Sequence, residues 1–247
     1  MLIIPRRRVA AATDPNFPSV SLLLHGDGTN GSTTITDSSG SPKVITAVGN
    51  AQISTAQSRF GEASMYFDGS TGNLVSPYSS DHVFGTGDFT VEGWFYFTDI
   101  NTNQRALVAL GDGANGSGPV YNSWTLAYRG TDASNQFMFY RYDGTEYVFT
   151  TTGAPLSANT WTHIAVCRAS GTLRIFVNGA SYYSASNSIN YSAVNTNPLR
   201  VALGYYGPPS GYSGPRYWAG FIDEIRITKA ARYTANFTPQ TAPFPDS

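Results

Sequence analysis

The stretch Trp161-Thr-His-Ile-Ala-Val-Cys-Arg-Ala-Ser-Gly-Thr-Leu-Arg-Ile-Phe-Val-Asn-Gly179 decides the fold of this chain. Ile164 and Val166 alternate with small or polar neighbours, and Leu173, Ile175 and Val177 do the same. A period of two over two short runs predicts two half-buried strands. The link Ala169-Ser170-Gly171-Thr172 is short and holds a glycine, so the two strands form a hairpin. Asn178-Gly179 then opens a further tight turn, because both residue types tolerate positive φ.

The alternation recurs on both sides. Residues 88–97 place Phe89, Val91 and Gly93 on one face and Thr90, Glu92, Trp94 and Tyr96 on the other. Further strands are predicted over 19–24, 33–36, 43–48, 63–68, 74–76, 105–110, 124–128, 136–142, 145–151, 198–203 and 220–227. Polar, glycine-rich loops separate them, and Asp143-Gly144 signals a second hairpin. Residues 205–218 read as an irregular Gly/Pro loop dense in tyrosine. Charged residues make up 13% of the 247, about half the usual ~25%, and aromatics make up 14%. That balance favours strands and turns over helices. The expected fold is all-β: a jelly-roll sandwich of two antiparallel sheets over 19–247, preceded by an extended arm over 1–18.

Several motifs resemble one family. Trp-x-His-hydrophobic-Ala-Val followed by Leu-x-Ile-x-Val-Asn-Gly is similar to the central hairpin of laminin-G-like domains, which belong to the concanavalin A-like lectin and glucanase group. Phe60-Gly61 with Ala63 to Gly69, the run from Phe89 to Trp94, and the closing Gly220-Phe-Ile-Asp-Glu-Ile-Arg-Ile227 resemble the same family's elements. The phrase from Ser21 to Gly31, with Arg59-Phe60-Gly61 later, resembles virion proteins of tailed phages, where such modules occur on tail fibres and capsid surfaces. The resemblance also implies a calcium ion at the sandwich rim, held by aspartates and carbonyls. Of Asp27, Asp37, Asp112 and Asp223, the candidates chosen are Asp27 and Asp223.

Catalysis finds little support in the residues. Glycosidase carboxylates must share a face about 5–9.5 Å apart. Asp223 and Glu224 are adjacent and would point to opposite faces, while Asp88 and Glu92 share a face but stand too far apart. The histidines His25, His82 and His163 show no metal spacing, and His163 reads as structural. Cys167, the single cysteine, reads as a buried filler. The net charge of −1 gives no general attraction to nucleic acid or anionic membrane. No apolar run approaches the ~20 residues of a membrane-spanning helix. The N-terminus lacks a signal-peptide pattern.

Binding is the better expectation. Tyr205, Tyr206, Tyr212 and Tyr217 supply flat faces for sugar rings, with Arg216 for hydroxyls, on a loop expected at one end of the sandwich. Trp218 is expected in the core, and the 111–119 loop is the second candidate surface. Arg6, Arg7 and Arg8 mark the arm as an attachment element for other virion subunits, while the domain is expected to fold without the arm. The leading expectation is a non-catalytic recognition module on a virion, binding a surface glycan or host receptor and compatible with homo-oligomers. Its rivals are a purely structural decoration subunit and a divergent glycoside hydrolase.

Overall fold

The computed structural model describes residues 13–100, 104–111, 121–130, 135–206 and 214–247. Its strands are β1 (Val20–Leu24), β2 (Thr46–Val48), β3 (Gln52–Ser54), β4 (Ser64–Asp68), β5 (Asn73–Ser76), β6 (Phe89–Phe97), β7 (Arg105–Leu110), β8 (Asn122–Arg129) and β9 (Gln136–Tyr142). There follow β10 (Glu146–Thr150), β11 (Trp161–Ala169), β12 (Thr172–Val177), β13 (Ala180–Ser186), β14 (Leu199–Val201), β15 (Leu203–Tyr206), β16 (Gly214–Tyr217) and β17 (Ala219–Thr228). The first sheet runs β13-β12-β11-β6-β17-β4-β3, with β1 also paired to β17. The second runs β10-β9-β8-β7-β14-β5-β2. Every ladder in both is antiparallel.

The quoted stretch folds as its alternation dictates. Ile164 faces Val177 and Ala169 faces Thr172 across β11 and β12. Ser170 and Gly171 form the two-residue turn at φ 47° and 74°, and Asn178 and Gly179 form the next at 49° and 78°. Positive φ at both central residues gives a turn whose twist matches the strands. The core-facing side of the first sheet, including Val91, Phe95, Ile164, Val166, Ile175 and Ile222, packs against Trp124, Leu126, Phe137 and Phe139 of the second. Each such side chain contributes about 1.5–3 kcal/mol by leaving water. Gly93 faces this interior because a Cβ there would stand 2.6 Å from Ile225 Cδ1. Cys167 is buried, and burial raises its thiol pKa.

Local differences from the expectation have physical causes. Residues 33–36 join no ladder, and of 43–48 only β2 pairs. β3 and β13 add to the expected strands, and both are short on apolar alternation: β13 is a half-exposed edge strand reading Ala-Ser-Tyr-Tyr-Ser-Ala-Ser.

The N-terminal boundary also shifts. Arg6, Arg7 and Arg8 lie outside the described residues, but residues 14–18, assigned above to the arm, pack on the domain. Asp14 is 7% exposed and ion-pairs with Arg226 at 3.2 Å and Arg232 at 2.6 Å. Phe17 packs against Val20, Leu23 and Phe244. Arg226 in turn donates to Glu92 on the outer face of β6, at 3.0 and 2.8 Å. The closing segment 229–247 covers this part of the first sheet, with Tyr233 and Phe237 stacked at 3.5 Å beside Phe176. His163 lies fully buried there between Trp94 and Phe237, a packing role.

Candidate functional site

The described ends of the tyrosine-rich segment, residues 203–206 and 214–217, pair as a ladder on a sheet face rather than forming irregular backbone at the sandwich end. In the ladder of β15 and β16, Leu203 opposes Tyr217, Gly204 opposes Arg216, Tyr205 opposes Pro215 and Tyr206 opposes Gly214. A Cβ on Gly204 would stand 2.5 Å from Ala106 Cβ and 3.5 Å from Ala109 Cβ. Small residues on both surfaces therefore let the hairpin lie close on the outer face of β7. Arg105 pins it, donating from Nη1 to the Tyr217 carbonyl at 2.6 Å and to the Gly69 carbonyl at 3.3 Å. Alternation places Tyr205 and Tyr217 with Pro215 on one face of the ladder, and Arg216 on the other. Tyr205, Arg216 and Tyr217 are half-buried. The backbone of Tyr206 belongs to β15; Tyr212 and residues 112–119 of the second candidate loop lie outside the described residues. Trp218 is core, 2% exposed, with its ring edge-on to Phe97 at 4.5 Å.

The two rim aspartates come together. Asp223 Oδ2 accepts the Arg59 and Phe60 amides at 2.8 and 3.1 Å, while its Oδ1 is buried without a partner. Burial pushes the Asp223 carboxyl up to about 7, with the charges of Glu224 and Asp27 adding to the effect against those two amides. Asp27 is exposed beside it: a Cβ on Gly26 would stand 3.5 Å from Asp223 Oδ1, and one on Gly61 would stand 2.5 Å from Asp27 Oδ1. An orphaned buried carboxylate oxygen beside a second carboxylate suits a hard cation. No group of three acidic, histidine or cysteine ligands exists among the described residues, so carbonyls and water would complete the shell. Asp37 is spent otherwise, accepting the Leu23, Ser39 and Lys43 amides. Glu224 is turned away by the bulge in β17: at φ 55° it accepts from Phe244 N at 2.6 Å and meets His25 Nδ1 at 2.7 Å.

A third surface escaped the sequence. Tyr66, Phe221, Tyr96 and Trp161 stand opposite one another on β4, β17, β6 and β11. Their ring centroids are 5.2, 5.8 and 5.5 Å apart in that order. Tyr66, Tyr96 and Trp161 are half-exposed. Alternation puts Tyr96 on the face opposite Phe89 and Val91, but the other three lie in separate motifs that only strand register aligns.

A laminin-G-type family model, described as the concanavalin A-like lectin/glucanases superfamily, matches residues 68–236. No curated protein matches in sequence. Among solved structures, domain 4 of AbnA, a GH43 extracellular arabinanase from Geobacillus stearothermophilus in complex with arabinotriose, has TM-score 0.59 and 15% identity, covering 86% of this chain and 93% of that one. The botulinum neurotoxin serotype C1 binding domain has TM-score 0.63 and 14% identity, covering 88% of this chain and 50% of that one. A structure described as showing that cell entry of botulinum neurotoxin type C depends on two ganglioside molecules has TM-score 0.60 and 13% identity, covering 88% and 49%. This chain thus spans about half the length of those toxin chains. At such identities the likeness is one of fold. With two antiparallel sheets and a family match over residues 68–236, the chain belongs to the concanavalin A-like lectin/glucanase superfamily.

Proposed function

We propose that this chain is a non-catalytic recognition module, binding a surface glycan or host receptor as part of a larger assembly such as a phage tail fibre or capsid surface. The observation that carries the reading is the β15–β16 hairpin, which holds Tyr205 and Tyr217 on one face over a base pinned by Arg105. A backbone held in place before binding loses little freedom on binding, so more of the contact energy appears as affinity. Tyrosine offers a flat apolar face and a hydroxyl, which suits both sugar rings and adaptable protein surfaces. The folds of an arabinotriose-bound domain and of a toxin whose cell entry depends on gangliosides support a sugar as ligand. Three of the four acidic residues weighed for hydrolysis are engaged elsewhere: Glu92 with Arg226, Glu224 with Phe244 N, and Asp88 with Ser170 N at 2.9 Å.

The N-terminal arm, through Arg6, Arg7 and Arg8, docks the module on neighbouring virion subunits in this reading. Asp14 N donates to the Ser247 carbonyl at 2.9 Å, which brings residues 14 and 247 together. Asp27 and Asp223 hold a calcium ion that shapes the rim. Calcium should then raise the melting temperature of the intact chain, and Asp223→Asn should abolish the response; equal melting with calcium and with chelator would sink the assignment.

The test of function is binding of the intact chain to host surfaces and to a glycan array. Tyr205→Ala and Tyr217→Ala should each weaken binding about tenfold, given roughly 1–3 kcal/mol per stacked ring, with melting unchanged. Wild-type binding by both variants would refute the hairpin site. A chain that incorporates into particles yet binds no surface would be the decoration subunit instead.

A further inference from the structure

The outer face of the first sheet carries a second surface, on the opposite side of the sandwich from the hairpin. The row Tyr66, Phe221, Tyr96 and Trp161 crosses four neighbouring strands, a span of ~14 Å at the usual strand spacing. It ends at a pocket of about 300 Å³ lined by Thr33, Asn50, Gln52, Tyr66 and Asp68. Gln52 lies opposite Tyr66 on β3, so pocket and row are continuous.

Hydrogen bonds tie one wall of the pocket together, and its chemistry is selective. Asp68 Oδ1 accepts the Ser70, Thr71 and Gly72 amides at 3.0, 2.9 and 2.8 Å. Its Oδ2 accepts from Asn50 Nδ2, Ser70 Oγ and Thr71 Oγ1, each at 2.8 Å. Burial opposes ionisation of Asp68, but these donors outweigh it and hold the carboxyl far below the usual range. Gly49, at φ 61°, lets the β2–β3 turn close on this loop, since a Cβ there would meet the Thr71 carbonyl at 2.3 Å. Asp68 therefore keeps its negative charge, with its acceptor sites already used by the protein. That leaves the Gln52 amide, the Thr33 hydroxyl and the Asn50 side-chain carbonyl to meet a ligand. Neutral donors and acceptors beside a fixed anion and an aromatic wall complement an uncharged polyhydroxylated ligand and disfavour an anionic one.

We propose that the pocket at Gln52 and the adjoining aromatic row form a second binding site, for an uncharged linear oligosaccharide. A terminal sugar sits in the pocket against Tyr66, and the following units run over Tyr96 towards Trp161, with the buried Phe221 ring packed between Tyr66 and Tyr96. The proposal rests on the recognition reading but not on the hairpin.

The intact chain is titrated calorimetrically with neutral oligosaccharides derived from arabinan, xylan, cellulose and starch, and with uronic-acid and sialylated oligosaccharides. At least one neutral series should bind, and the acidic ones at least about tenfold more weakly. Gln52→Ala and Trp161→Ala should each weaken that binding about tenfold. Gln52 is a half-exposed polar residue, so its variant keeps the test valid if Trp161→Ala fails to fold. Loss of binding in Tyr205→Ala with retention in Gln52→Ala would refute this site and leave the proposed function standing. Failure of every neutral sugar to bind, with host-surface binding intact, would also overturn it alone. If instead Trp161→Ala abolished self-association in sedimentation and no sugar bound, the row would be an interface between copies. Absence of all glycan and surface binding would overturn both readings.

Discussion

Asp14 decides where the domain begins. Burial works against its charge, but Arg232, the Asn16 amide and Arg226 outweigh burial and lower its pKa from 3.8. Glu92 behaves alike: burial opposes ionisation, and Arg226, His163 and Arg232 prevail, lowering its pKa from 4.5. For both groups the folded state holds its proton less tightly than the unfolded state. Their contribution is thus present above about pH 4.5 and lost as pH falls through the lowered folded values. Loss of these two contributions should lower the melting temperature below about pH 4, whereas between about pH 7 and 4 the raised Asp223 carboxyl, which takes up its proton more readily in the folded state, should make melting rise as pH falls. Asp14→Asn should cost about 2–3 kcal/mol at neutral pH and flatten that acid limb, as thermal unfolding across pH would show. Trp218 poses a simpler question. It fills core space, so Trp218→Ala should cost about 3–5 kcal/mol, whereas Tyr205→Ala on the hairpin should leave stability nearly unchanged.

At the scale of elements, the two turns flanking β12 use the same chemistry for different ends. Gly171, at φ 74°, has nothing within 4 Å of where a Cβ would stand. Gly179, at φ 78°, would place a Cβ 1.9 Å from the Phe237 carbonyl. The Gly179 turn is thus the seat of the closing segment: Phe237 N donates to the Gly179 carbonyl at 3.0 Å, and Ser181 N donates to Asn236 Oδ1 at 3.0 Å. Gly171→Ala should cost only the backbone penalty, about 1 kcal/mol. Gly179→Ala should cost clearly more and loosen residues 233–237. Denaturant unfolding gives the first comparison, and hydrogen exchange at Ser181 the second.

At the scale of the molecule, the N- and C-terminal segments close the first sheet together. Lys229 N donates to the Ser19 carbonyl at 2.8 Å, and the Arg226 guanidinium lies 3.5 Å above the Phe244 ring. The expectation that the domain folds unaided by residues 1–18 therefore needs a narrower limit. Removing 1–18 takes away Asp14 and Phe17 and should lower the melting temperature by several degrees, since about 1 kcal/mol shifts a domain of this size by roughly 2–4 °C. Removal that stops at residue 12 keeps both and should shift it far less. Equal melting of the two shortened chains would show that Asp14 contributes nothing.

By itself the sequence determined the class of fold and the central hairpin. Those depend on alternation within a few residues and on the positive φ that Gly171, Asn178 and Gly179 tolerate. It also marked Trp218 and His163 as structural, because each sits in a short, recognisable motif. Tertiary structure alone decided the rest. The ladder hidden in residues 203–217 lacks apolar alternation, because glycine and proline occupy the positions that lie close on β7 or at the exposed edge. Asp14 finds Arg226 and Arg232 more than 200 positions away. The row of Tyr66, Phe221, Tyr96 and Trp161 exists only once four strands distant in sequence share a register. Local propensity acts between neighbours in the chain, whereas register and ion pairing act between neighbours in space, which only packing of the two sheets and both chain ends brings about.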